Sequence, residues 1–330
     1  MDMIYMDSTR NVLGELVSPT LDLQFGGDQN DANDFELSHK TSGLVLQAGM
    51  YVSVEGTEYG GTIDEICPTV ADGRASYTVK GRTWHGILAG KIIQPDAGTD
   101  RLTVNGEANT IIRTIISRIG LGGIFTVATE SSGLTVGNYS FRRYINAYLG
   151  LRMMLTGIGA RLDIANTDGV TTIRAVPATT YGGADSDQRI DFTAEKAYRR
   201  TNHLIGLGKG ELKARAVSHW YADKNGAVSQ KQTLTGVDEI VETYELTSSE
   251  GTDLSDKTRD KLKEMQAEGN VDIDVPDDIG LHVDDIVKAY DAITGISVTS
   301  NITRMVVKLD NSQPTIEYTA GVQDWPDEQE

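Results

Sequence analysis

The alternation of apolar and polar residues changes period along the chain, and the changes divide it. Residues 1–96 read as β-structure throughout. Leu21, Leu23 and Phe25 alternate with Asp22 and Gln24, and Phe35 and Leu37 alternate with Glu36 and Ser38, the two-residue period of strands with one buried face. Further strands are expected at 3–6 and 12–16 around a polar turn, and at 51–54, 57–66 and 75–80, with turns at Glu55-Gly56 and Asp72-Gly73. Strands this short and regularly spaced suit a small closed or nearly closed barrel. The stretch GRTWHGILAGKIIQP, residues 81–95, closes this domain, with Trp84 expected to be packed and His85 to sit at an edge.

In residues 97–188 the period turns helical. Asn105 is placed to cap a helix carrying Ile111, Ile112, Ile115, Ile116 and Ile119 on one face, stopped by Gly120. Ser140 is placed to cap a second, with Phe141, Tyr144, Ile145, Tyr148 and Leu149 at helical spacing. A strand is expected at 125–127, and a hairpin joins 161–164 to 171–176 across Asp168-Gly169. The result is an α+β insert. Its one modest basic cluster, Arg142, Arg143 and Arg152, reads as a solvated helix face or an interface. Residues 181–187 read as a linker.

β-structure resumes in residues 189–250, whose centre is NHLIGLGKGELKARAVSHWYAD, residues 202–223. Gly206, Gly208 and Gly210 alternate there as in a phosphate-binding turn. A dinucleotide site, however, needs a helix opening at the third glycine. Beyond Gly210 the period is that of a strand, with Leu212, Ala214, Ala216, Ser218 and Trp220 alternating with Lys213, Arg215, Val217 and His219. Two antiparallel strands joined by a glycine-rich loop are therefore expected, with a turn at 223–226. Residues 251–270 predict a highly charged helix starting near Ser255, whose apolar stripe hardly exceeds Leu262 and Met265; it belongs on a surface or bridges to another subunit. Strands return in residues 271–322, and residues 323–330 form an acidic tail. The fold class is mainly β, with two β-domains bracketing an α+β insert.

Composition narrows the function classes. Among 330 residues the formal net charge is -18, which argues against gripping nucleic acid or anionic membranes, since phosphate neutralisation requires clustered Lys and Arg. The single Cys67 permits no internal disulfide and reads as a small buried hydrophobe. No basic leader and no run near eighteen apolar residues is present, so a soluble chain made in the cytoplasm, with no membrane anchor, is expected. His39, His85, His203, His219 and His282 are scattered, without HExxH spacing, and no nucleophile elbow or Cys/His signature occurs; no catalytic, cofactor or metal site is expected. Asp28, Asn30, Asp31, Asn33 and Asp34 cluster in one loop, but it lacks the central glycine and final Glu of an EF-hand and reads as a solvated hairpin tip. The run VDIDVPDDIGLHVDD carries Asp272, Asp274, Asp277, Asp278, Asp284 and Asp285, and reads as a solvated acidic surface.

Several segments together resemble the tail baseplate hub proteins of long-tailed bacteriophages, the family that includes the N-terminal hub portion of tail-associated lysins. They are YMDSTRNVLGEL, NDFELSHK, GRTWHGILAGKIIQP, GLGKGELKARAVSHWYADKNG and DIGLHVDDIVKAYDAITGISVTSNITRMVVKL, which span most of the chain. The resemblance implies a virion structural protein assembled in the host cytoplasm. It implies a homotrimer in which two tube-like β-barrels per subunit give a ring of six, matching a six-fold tail tube to a three-fold tip. On this chain the first barrel is 1–96 and the second combines 189–250 with 271–322. Partners would be the distal tail protein or tail tube above, and tip, fibre or receptor-binding proteins below. Lysins of this family continue into a C-terminal peptidase or fibre-binding region; the chain stops at Glu330, so no enzymatic activity is expected. The acidity then acquires a role, because genomic DNA must pass through the ring without sticking. Asp277, Asp278, Asp284 and Asp285 are the expected lumen-lining residues. The alternative is a β-rich cell-surface or glycan-binding protein, calcium-dependent or not, or a glycan-processing enzyme.

Overall fold

The computed structural model describes residues 2–27, 33–39, 45–71, 74–183, 191–194, 200–224, 226–267, 271–275, 280–293, 297–310, 313–321 and 325. The chain is mainly β, with several sheets and a small helical insert. It divides into two units, residues 1–191 with 273–330 and residues 192–272.

The first unit is built on an eleven-stranded sheet. The alternation read in the sequence sets its registers. Leu21, Leu23 and Phe25 of the strand Thr20–Gly26 are buried; Leu21 and Leu23 lie opposite Leu37 and Phe35 on one side, and all three lie opposite Leu309, Val307 and Met305 on the other. Apolar cross-strand rungs of this kind contribute about 0.2–1 kcal/mol each. From Asp34–Ser38 the order continues through Arg74–Thr83, Gly60–Ala71, Tyr51–Val54 and Met3–Met6 to Val12–Glu15.

This pairing corrects the expected grouping of 189–250 with 271–322. The strand Ser297–Asp310 joins Thr20–Gly26, so the C-terminal strands extend the N-terminal sheet, while the strands between 203 and 245 form a sheet of their own. A period of two tells a strand which face to bury and says nothing about its neighbour.

Among the described residues, three α-helices belong to the first unit: α1 (Trp84–Ala89), α2 (Ala108–Arg118) and α3 (Ala147–Thr156). Trp84 is fully buried, stacks on Tyr51 at 5.8 Å and meets the edge of Phe125 at 6.4 Å. Ile112, Ile115, Phe141, Leu151 and Met154 share this core, so the insert and the N-terminal β-region bury one continuous interior. His85 is buried beside Trp84, and is not the edge residue expected from the sequence. Helix α2 buries the isoleucine face as predicted, but its cap is Glu107, whose carboxylate accepts the backbone N–H groups of Asn109 and Thr110. Helix α3 begins only after Asn146 caps Leu149 N–H; Ser140 ends a strand, and Tyr144 is exposed at φ 55°. The hairpin of Ala160–Thr167 with Val170–Pro177 turns through Asp168 and Gly169, both at positive φ, as a two-residue primed turn requires.

The second unit carries a four-stranded sheet in the order Val228–Ser229, Val217–Ala222, His203–Leu207, Val241–Glu245, with an antiparallel pair at its centre as expected, although its second strand begins only at Val217 and Leu212–Ala214 form a 3-10 turn instead of extended chain. One face is covered by α4 (Gly251–Ala267), through Leu262 against Leu204 and Ala222, with Trp220, Tyr244 and Met265 packed around them. The alternating glycines serve this packing. A Cβ on Gly206 would lie 1.9 Å from the Thr258 hydroxyl oxygen of α4, and one on Gly208 would lie 2.4 Å from the Ser249 carbonyl oxygen.

Candidate functional site

The acidic residues singled out in the sequence divide when the chain folds. Asp277 and Asp278 lie outside the described residues. Asp284 and Asp285 are not on an open surface: they are 2% and 1% exposed, which removes them from any lumen lining. They sit in a tight turn closed by the Asp285 N–H donating to the His282 carbonyl at 3.0 Å. Asp284 occupies the third position of that turn at φ 73°, where glycine is the usual residue, a conformation costing about 1–3 kcal/mol. Its partner explains why it is held there. Arg152, on α3 and itself buried, donates Nε and Nη2 to the two carboxylate oxygens at 2.9 and 2.7 Å, and Nη1 to the Gly27 carbonyl at 3.1 Å. The rings of Tyr148 and Trp325 lie at 5.3 and 5.5 Å from the same guanidinium. Burial opposes the charge on Arg152, yet the Asp284 carboxylate more than offsets it and raises the pKa. Arg152, expected on a solvated basic face or an interface, is the best-buried cation of this unit's described interior.

Asp285 is held by a different arginine. Its Oδ1 accepts Arg161 Nε at 3.1 Å and the Thr179 N–H at 2.7 Å, and its Oδ2 accepts the His282 N–H at 2.8 Å. Arg161 also pairs with Asp163 at 3.0 Å. Alongside stands Glu58, 5% exposed, between two imidazoles: His282 Nδ1 at 2.6 Å and His85 Nε2 at 3.2 Å. His85 is stacked on Phe25 at 4.1 Å and touched edge-on by Tyr148 at 5.2 Å. Burial pushes the Glu58 carboxyl up, but hydrogen bonds from His282 and His85 outweigh it and hold the group well below the usual carboxylate range. For His282 burial works downward and Glu58 prevails, so its pKa is raised. Each carboxylate oxygen of Glu58, Asp284 and Asp285 has a donor. An arrangement so fully engaged fastens segments together: it ties the 281–285 turn to α1, α3, the strand Ala160–Thr167 and the loop before Gly60.

The open acidic surface is elsewhere. Asp22, Gln24, Glu36, Asp64, Lys80 and Arg82 project from the outer face of the large sheet around an open concavity. Arg82 donates twice to Asp64 at 2.8 Å and holds its carboxyl below the usual range, and Lys80 pairs with Glu36 at 2.7 Å. These pairs are half-exposed, and each contributes about 0–1 kcal/mol. Strand alternation already marked Asp22, Gln24 and Glu36 as outward-facing; it could not bring Asp64 and Arg82 beside them.

The five histidines do not all stay apart. Besides His85 and His282, strand pairing brings His203 and His219 together, their rings 5.2 Å apart. The register of the predicted antiparallel pair places them on one face at diagonal positions, and that signal was present in the sequence. Among the described residues, no helix is long and apolar enough to cross a membrane.

No family model matches the chain, and no curated protein matches it either. Solved structures do. A chain of the phage P2 baseplate in its activated conformation with Ca superposes with a TM-score of 0.50 at 11% identity, covering 96% of this chain and 98% of that one. The 43 kDa tail protein of prophage MuSo2 from Shewanella oneidensis gives 0.49 at 12% identity over 98% of both chains. A tail protein from Neisseria meningitidis MC58 gives 0.45 at 13% identity over 97% and 95%. The likeness to the P2 chain is one of fold, and it runs nearly the full length of both.

Proposed function

We propose that the chain is a structural protein of a bacteriophage tail, and within the tail the baseplate hub at its distal end. The observation that carries this reading is the fold shared with a P2 baseplate chain over 96% of this chain and 98% of that one. The hub-like motifs read in the sequence support it independently. On this reading three copies close into a ring that adapts the six-fold tail tube above to a three-fold tip, with fibre or receptor-binding proteins below. Genomic DNA passes through the ring without being read or cut, and the role is structural rather than enzymatic. A net charge of -18 suits that passage, since DNA released from its counterions by lysine and arginine would be held back.

Mass measurement in solution with negative-stain imaging tests the proposal. A hollow particle of three-fold symmetry and three chain masses is expected, alone or with the adjoining tail proteins. A chain that stays monomeric with those proteins present overturns the hub reading.

A further inference from the structure

The second unit holds a side-chain cluster that packing of its own core does not explain. His203 on the strand His203–Leu207 pairs with Tyr221, and His219 pairs with Ile205, so the two imidazoles are diagonal neighbours on the sheet face opposite α4. His203 is 8% exposed, whereas His219 is exposed. His203 Nε2 and His219 Nδ1 are 2.9 Å apart, and His203 Nδ1 lies 2.7 Å from Glu239 Oε1. Tyr221 lies against the His203 ring, with centroids 4.3 Å apart.

Donor and acceptor roles come from this chain of contacts. A carboxylate can only accept, so His203 donates through Nδ1 to Glu239. Neutral His203 is thereby left with its lone pair on Nε2, aimed at the Nδ1 of His219. That is the arrangement in which metal-binding histidines are held: a carboxylate fixes the tautomer through one nitrogen and raises the basicity of the other. The spacing is equally suitable. Two nitrogens about 2.0–2.1 Å from one ion, at angles between tetrahedral and right-angled, lie about 2.9–3.4 Å apart. His219 is on the open side of the sheet, so its ring can turn to offer Nδ1 without disturbing the core.

We propose that His203 and His219 bind a divalent ion of the imidazole-preferring class, zinc(II) foremost, through His203 Nε2 and His219 Nδ1. Glu239 is the positioning residue that supports His203, and water completes the coordination shell. Two protein ligands make a modest, exchangeable site, and one that is open on its outer side. A closed structural zinc site would use four.

Tag-free, chelator-treated protein titrated with zinc sulfate by calorimetry tests the site. One ion per chain is expected, with release of protons and with affinity falling as pH falls, because a protonated imidazole has no lone pair to give. His219→Ala removes an exposed ligand and is expected to abolish this binding while the thermal melt of the apoprotein stays unchanged. Glu239→Gln is expected to weaken it about 10-fold to 100-fold. Copper(II) bound in place of zinc should give an electron paramagnetic resonance spectrum split by two nitrogens, and H219A should lose that pattern. Absence of stoichiometric binding overturns the proposal, as does binding by H219A indistinguishable from the unaltered chain. Full affinity retained in E239Q removes Glu239 from the site.

Discussion

The two units each bring a carboxylate together with two histidines, and they do it in opposite ways. In the larger unit Glu58 stands between His282 and His85, under Phe25 and Tyr148, with both of its oxygens engaged. In the smaller unit Glu239 stands at the end of a line, His203 is in the middle, and its Nε2 meets the Nδ1 of the exposed His219. A carboxylate at the centre takes one imidazole on each oxygen and holds the two apart, and the cluster becomes a fastening. A carboxylate at the end passes its effect along and lets two imidazole nitrogens meet side by side. The same set, one glutamate and two histidines, therefore serves cohesion in one place and the proposed ligand capture in the other, and the order along the line of contacts decides which.

The largest effect is expected beside the first cluster. Arg152→Ala leaves Asp284 charged, buried and held at positive φ without its bidentate partner, and should cost about 3–5 kcal/mol in denaturant unfolding of the larger unit. The double variant R152M/D284G removes both charges and supplies the residue that the turn prefers. It should unfold closer to the unaltered chain than R152A does; equal instability of the two would show that lost packing, not the orphaned charge, dominates.

Next comes the pH profile. The lowered Glu58 pKa contributes stability that is fully present above the ordinary value of 4.5 and is lost as pH falls below it. The raised His282 pKa contributes stability that is fully present below the ordinary 6.5 and is lost as pH rises through its folded value. Denaturation midpoints of the larger unit should accordingly pass through a maximum between about pH 4.5 and 6.5, and Glu58→Gln should flatten both flanks. A profile of unchanged shape in E58Q would dissociate the cluster from the unit's stability.

The smallest effect belongs to the second cluster. His219→Ala, at an exposed position, should change metal-free stability by no more than about 0.5 kcal/mol, measured by thermal and denaturant unfolding. A larger loss would make His219 a fastening as well and erase the contrast.

Local chemistry was the legible part of this fold. The isoleucine face of α2, the Asp168-Gly169 hairpin and the antiparallel pair around the glycine-rich loop are each set within about twenty residues, where period and turn preference act directly. Helix starts were less legible. Asn105 and Ser140 are good caps by type, but Glu107 gains a further partner in Ser132, and Ser140 is drawn into the strand that pairs with Thr103–Glu107. The fate of Asp284 and Asp285 was not legible at all. Their neighbours in the sequence are acids, and the arginines that bury them lie 132 and 124 positions away. A run of carboxylates reads as solvated until a distant cation is known to fold onto it.

The pairing of Thr20–Gly26 with Ser297–Asp310 has a consequence for synthesis on the ribosome. Leu21 and its partner Leu309 are separated by roughly 290 residues, so at about 5–20 residues per second the first strand waits on the order of tens of seconds for the last. During that interval one edge of the strand has no permanent neighbour, and its row of backbone donors and acceptors is open to any other nascent chain. Polysomes hold many such edges close together. The neighbouring strand Asp34–Ser38 emerges within seconds and covers the other edge, which leaves the side reserved for residues 304–310 as the one open during synthesis.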